Sequence, residues 1–101
     1  MNAKFGLIGL GNMGTMILDQ LLNLNLLNEK EVYVANRSKE KLENFKKEYN
    51  SINLCDNIEV AKNCRNIMLC VEPSNVPSVL LEIMPFLNEN SYLMISTDRK
   101  S

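Results

Sequence analysis

The sequence predicts an α/β fold, a doubly wound parallel sheet in three αβα layers, on three observations. A short apolar run ends in the glycine pattern Gly9-x-Gly11-x-x-Gly14. Strand-like and helix-like hydrophobic periods then alternate along the chain. The connections between them are short, and no internal repeat, low-complexity tract or linker interrupts them. Strands separated by helices through short loops build a parallel sheet by right-handed crossovers, and this order of elements predicts strand order 3-2-1-4-5.

Lys4 to Gly9 reads as a short buried strand bounded by glycine. From Asn12 onward Met13, Met16, Ile17, Leu21 and Leu24 recur at helical spacing, so the glycines fall between a strand and a helix. Asparagines at 23, 25 and 28 supply the exit, because Asn tolerates the left-handed conformation at a helix end. Glu31 to Ala35 is rich in β-branched and aromatic residues and reads as the second strand. Ser38 is an N-cap candidate for a helix to Tyr49, with Leu42, Phe45 and Tyr49 on its apolar face.

Ile52 to Cys55 reads as a short third strand and Ile58 to Asn63 as a short helix. Asn66 to Val71 is the fourth strand, its unbroken apolarity suited to burial on both faces. Glu72-Pro73-Ser74-Asn75 forms a rigid turn. Val76, Val79, Leu80, Ile83 and Met84 then stripe a helix that Pro85 must end or kink, and Tyr92 to Ser96 closes the sheet.

Composition narrows the function. A chain of 101 residues makes one domain, short for an enzyme with separate cofactor and substrate sites. The net charge is -1 with acids and bases interspersed, which argues against a nucleic-acid partner. No secretory signal and no apolar stretch of membrane-spanning length is read in it, so a cytoplasmic protein is expected. Cys55, Cys64 and Cys70 are odd in number, lack C-x-x-C spacing and lie in or beside apolar segments, so buried thiols are expected rather than disulfides or metal ligands. With no histidine in the chain, neither a zinc site nor a histidine-based triad is expected.

Between a strand and a helix the glycines acquire separate tasks, those of a Rossmann-type dinucleotide site. Gly9 turns the strand sharply, Gly11 admits a pyrophosphate close to the backbone, and Gly14 packs the helix on the strand. The anion would sit at the helix N-terminus, where Asn12 and Met13 offer free amides. At the end of the second strand, where an NAD-preferring site places a carboxylate about 20 residues past the glycines, this chain has Asn36-Arg37-Ser38. Nothing there repels a 2′-phosphate and Arg37 offers a planar donor fork, so NADP(H) is favoured over NAD(H).

The loop Val71-Glu72-Pro73 follows the fourth strand near the switch point, where its backbone would line the nicotinamide side. Glu72 reads as an exposed loop carboxylate in preference to a general acid. Asp56 and Asn57 fit a helix cap and a cofactor contact equally well.

These residues resemble the cofactor domain of the pyrroline-5-carboxylate reductases and the related coenzyme F420-dependent NADP oxidoreductases. The resemblance is carried by GLIGLGNMG, VANRS, Asp56-Asn57, IMLCVEP where that family has V-K-P, and a last strand ending in Ser96. It implies NADPH as hydride donor and a cyclic imine, 1-pyrroline-5-carboxylate, as acceptor in proline biosynthesis. By the resemblance Gly9, Gly11, Asn12, Met13 and Gly14 hold the pyrophosphate, and Asn36, Arg37 and Ser38 hold the 2′-phosphate end. Asn57, Val71, Glu72 and Pro73 would face the ribose and nicotinamide, and no catalytic side chain is assigned.

The chain also departs from the family. Glu72 replaces a lysine, Met16 stands where a small alanine is common, and Thr97-Asp98-Arg99 replaces a small glycine-containing segment. These departures point to a divergent paralogue, such as the reductase-like late-competence proteins. The family's C-terminal helical domain, which implies homo-oligomerisation and most of the substrate site, is expected to lie outside residues 1–101. A non-catalytic nucleotide-binding module and a reductase of another acceptor, such as F420, remain as alternatives.

Overall fold

The computed structural model describes residues 4–96. Its sheet has five strands: β1 Phe5–Ile8, β2 Val32–Ala35, β3 Asn53–Leu54, β4 Asn66–Leu69 and β5 Tyr92–Ile95. All pair in parallel, in the order β3-β2-β1-β4-β5 that the sequence predicts. The crossovers carry α1 Asn12–Asn23, α2 Lys39–Glu48, α3 Asn57–Asn63 and α4 Val76–Ile83. Short 3₁₀ turns lie at Glu29–Glu31, Pro73–Asn75 and Met84–Phe86.

Because successive strand residues point to opposite faces, the sheet feeds two cores. On one face Phe5, Leu7, Val32 and Val34 meet Leu18 and Leu22 of α1 and Leu42 and Phe45 of α2. On the other, Ile8, Ala35, Ile67 and Leu69 meet Val60 and Ala61 of α3 and Val79 and Ile83 of α4. β1 is buried along its whole length, as the central strand of a two-sided sheet must be.

Local chemistry sets the helix ends. Ser38 caps α2 by accepting from the Lys41 amide, and Asp56 caps α3 by accepting from the Glu59 amide at 2.8 Å. At the end of α1 Asn25 takes the left-handed conformation, φ 57°. The Asn25 amide donates to the Leu22 carbonyl and the Leu26 amide to that of Leu21, the paired bonds of a Schellman motif.

Three expectations are corrected. The buried face of α1 is Gly14, Leu18 and Leu22, whereas Met16 and Leu24 are about 60% exposed (59% and 63%). The helix rolls so that Gly14, whose missing side chain carries no hydropathy signal, lies against the sheet. Met84 is exposed because the chain tightens into a 3₁₀ turn at Pro85 and leaves the α4 stripe. β4 is fully buried only at Ile67 and Leu69, since Met68 faces the side on which β5 leaves Tyr92 and Met94 exposed. The strands are also one or two residues shorter than the apolar runs that announce them, and Glu72 to Asn75 closes as a 3₁₀ turn. Thr97-Asp98-Arg99 lies outside the described residues.

Candidate functional site

The glycine turn runs from the end of β1 into α1. Gly9 has φ +108°, and a Cβ there would overlap the Cys70 backbone beyond β4. A Cβ on Gly14 would overlap the Gly9 carbonyl oxygen. These two glycines are therefore demanded by the fold. Gly11 differs: its φ of -74° and ψ of -170° are open to any residue, and it lines the cleft at the carboxyl ends of the strands. Its missing side chain leaves room on the cleft side of the turn.

Gly11 is also the N-cap of α1, and no side chain caps this helix. The first turn of α1 therefore presents amides without intrahelical acceptors, next to the positive end of a 12-residue helix. No acidic side chain stands in that turn to oppose an anion.

The cleft encloses about 330 Å³, within the range of small-molecule sites, and lies where the strand order reverses between β1 and β4. It gathers Gly9 and Gly11 with Asn36, Arg37 and Ser38 at one end and Asn57, Val71 and Glu72 at the other. Four expected residues stand elsewhere. Asn12 lines an adjoining groove between α1 and α2, and Met13 Sδ accepts from Ser96 Oγ at 2.7 Å. Gly14 is buried under the turn, and Pro73 opens the 3₁₀ turn after β4.

The polar groups of the cleft divide into committed and free. The Asn36 side chain accepts from the Leu10 amide at 2.8 Å and donates to the Ser38 carbonyl at 3.1 Å. Ser38 Oγ accepts from the Lys41 amide at 3.4 Å, which leaves its hydroxyl hydrogen for an outside acceptor. Asn57 Nδ2 donates to Glu82 Oε1 of α4 at 2.8 Å. Of the pair that sequence left open, Asp56 is the cap and Asn57 lines the cleft.

Sequence reading missed Lys41 and Asn75, both of which line the cleft. Lys41 could have been found, because it lies one helical turn beyond the cap Ser38, on the side of α2 that returns to the β2 end. With Arg37 it makes the Ser38 end of the cleft cationic.

Ile8, Cys70 and Val79 supply apolar wall. Burial raises the Cys70 thiol, so it is neutral wall at physiological pH. Burial, with Asp56 and Glu59 adding repulsion, pushes Cys55 up to about 11, and burial pushes Cys64 up to about 12. Among the described residues no His, Cys, Asp or Glu cluster could hold a metal ion, and no helix is long and apolar enough to cross a membrane.

A doubly wound sheet with an uncapped helix N-terminus and a polar cleft at its switch point defines a Rossmann-type nucleotide-binding domain. The profile of the family described as NADP oxidoreductase, coenzyme F420-dependent, matches residues 4–97, and the chain belongs to that family. The chain is 32% identical over 96 residues to ComE operon protein 4 of Bacillus subtilis (strain 168), covering 93% of this chain and 35% of that protein. It is 31% identical over 92 residues to pyrroline-5-carboxylate reductase of Methanobrevibacter smithii, covering 90% and 37% respectively.

Among solved structures, pyrroline-5-carboxylate reductase from Coxiella burnetii superposes with TM-score 0.87 at 27% identity, over 96% of this chain and 36% of that one. Plasmodium falciparum pyrroline carboxylate reductase, solved with NADP bound, superposes with TM-score 0.79 at 28% identity, over 95% and 34%. The chain thus spans about a third of the length of these relatives.

Proposed function

We propose that residues 1–101 form a single NADP(H)-binding domain of a pyrroline-5-carboxylate reductase-like oxidoreductase, with the substrate-binding and dimerising part supplied by further chain. The observation that carries this reading is the cleft itself, where the uncapped α1 N-terminus reaches the wall at Gly11 and Arg37, Ser38 and Lys41 also line it. The family membership and the NADP held by the Plasmodium falciparum relative support it.

In this reading the amides of Gly11, Asn12, Met13 and Gly14 meet the pyrophosphate. Arg37 and Ser38, joined by Lys41, meet the 2′-phosphate, because a guanidinium fork and a free hydroxyl hydrogen both suit phosphate oxygens. Asn57 and the Val71 to Pro73 segment border the ribose and nicotinamide, against the apolar wall of Ile8, Cys70 and Val79. When bound, the cofactor supplies hydride for reduction of a carbon–nitrogen double bond. This chain's residues bind and orient it, and the remaining protein holds the cyclic imine in attack geometry. The protein is proposed to work in the cytoplasm, in proline biosynthesis.

A second reading is favoured by Glu72. It places a carboxylate in the cleft where the resembled family has a lysine, and the chain's similarity to ComE operon protein 4 fits a paralogue with another task. That task would be nucleotide binding without turnover, or reduction of a different acceptor such as F420. Calorimetric titration of this chain with NADPH and NADH at one salt concentration tests the shared core of both readings. NADPH binding with clearly weaker NADH binding supports it, and binding of neither refutes it. Imine-dependent NADPH oxidation by the longer protein separates the two.

A further inference from the structure

We propose that Asn36 is a positioning residue for the nucleotide site, one that locks the glycine turn to the end of β2 instead of reading the 2′-phosphate; the inference rests on the cofactor reading above. Asn36 directly follows β2 and is half-buried. Its Oδ1 accepts from the Leu10 amide at 2.8 Å, and its Nδ2 donates to the Ser38 carbonyl at 3.1 Å. Beside it the Gly9 amide donates to the Ala35 carbonyl at 2.8 Å. Two successive amides of the glycine turn are therefore docked on two successive residues at the end of β2. The Leu10 side chain is 3% exposed, so its amide cannot turn outward without drawing an apolar group from the core.

The Leu10 N–H is thereby withdrawn from the donors that could meet a phosphate, and the turn presents Gly11 and the first turn of α1. The brace also joins the pyrophosphate end of the cleft to the Arg37-Ser38 end. Their separation is set before a ligand arrives, which reduces the ordering that binding must accomplish. The amide is the group that fits both ends, an acceptor toward an N–H and a donor toward a carbonyl. Aspartate keeps the acceptor but sets an oxygen against the Ser38 carbonyl, and alanine leaves the Leu10 N–H unpaired.

The test uses the 101-residue chain with Asn36→Ala, Asn36→Asp and, for comparison, Arg37→Ala. Amide hydrogen exchange is followed by NMR without nucleotide, and NADPH and NADH affinities are measured by calorimetry. In Asn36→Ala, Leu10 exchange is expected to accelerate about tenfold while the Val34 and Leu69 amides stay unchanged, and both affinities should fall by a common factor of about ten. Arg37→Ala should lower NADPH affinity alone. Asn36→Asp should hold Leu10 protection within about twofold of wild type, and it carries the test if the alanine variant does not fold.

Unchanged Leu10 exchange in Asn36→Ala, or loss of NADPH binding with NADH binding intact, overturns the positioning role. So does loss of Leu10 protection in Asn36→Asp. If the wild-type chain binds neither nucleotide, the cofactor reading fails and takes the positioning role with it. Faster Leu10 exchange in Asn36→Ala would then mark a purely structural tie.

Discussion

The Gly9 backbone lies so close to that of Cys70 that no side chain fits between them, and this contact seats the turn after β1 against the end of β4. The same turn holds Gly11, whose backbone angles demand no glycine. In the proposed reading the two positions separate a requirement of the fold from a requirement of the ligand. Gly9→Ala is expected to destabilise the chain by about 3 kcal/mol or more, from a left-handed φ combined with overlap on backbone. Gly11→Ala should cost only about 1 kcal/mol, the difference between glycine and alanine as N-cap, yet weaken NADPH binding at least about tenfold. Urea unfolding and calorimetry on both variants check the pair.

Arg37 stands exposed at the cationic end of the cleft. Arg37→Ala should weaken NADPH binding by about tenfold to a hundredfold and leave NADH binding unchanged, as expected for loss of a charge-assisted contact to one phosphate. The proposed preference of the wild-type chain for NADPH should shrink as salt is raised, because the contact would be screened. Titration of both nucleotides at two salt concentrations reads both effects.

Tyr49 is buried at the end of α2, and its hydroxyl donates to the Asp19 carboxylate of α1. Tyr49→Phe should lower stability by about 2 kcal/mol, since the bond is to a charged group. The ring still fills the space beside Phe45, so the urea dependence of unfolding should keep its slope.

Burial holds the Cys55 and Cys64 thiols protonated up to about 11 and about 12, against an ordinary value of 9.0. Burial and then the Asp19 contact also raise the Tyr49 phenol above its ordinary 10.0. The unfolded chain releases these protons first, so it binds fewer protons than the native state above pH 9. Stability should be level from neutral pH to about pH 8, then fall as pH rises from 9 through 11. Urea midpoints at pH 7.5 and pH 10 test the direction, and removing both thiols by Cys55→Ala and Cys64→Ala should flatten the slope.

β5 is an edge strand without charge or proline, and Tyr92, Met94 and Ile95 are 65%, 47% and 49% exposed. Such an edge can template pairing with another strand. The isolated chain is expected to self-associate at high concentration, and Ile95→Lys should reverse this without lowering NADPH affinity. Sedimentation velocity across a concentration series checks the first statement, and calorimetry the second.

What the sequence determined by itself was the order of the sheet and the seat of the glycine turn between β1 and α1. The alternation of periods is local, and short connections leave few topologies, so strand order 3-2-1-4-5 follows from the elements. The cap Ser38 and an asparagine exit from α1 were legible for the same reason, since each acts within a few residues of itself, whereas the structure chose Asp56 over Asn57 as the cap of α3 and Asn25 as the left-handed residue. Tertiary structure decided the rest. The fingerprint already assigned Gly14 to packing α1 on the strand, but that Leu18 and Leu22 follow it into the core while Met16 and Leu24 stay exposed was set by the close approach of Gly14 to Gly9. The Asn36 brace joins residues 26 apart in sequence, and Lys41 reaches the cleft because α2 packs back beside the β2 end. A side chain's partners across the fold depend on packing of whole elements, and this sequence expresses that packing through an amide, Asn36, whose role appears once the strands stand side by side.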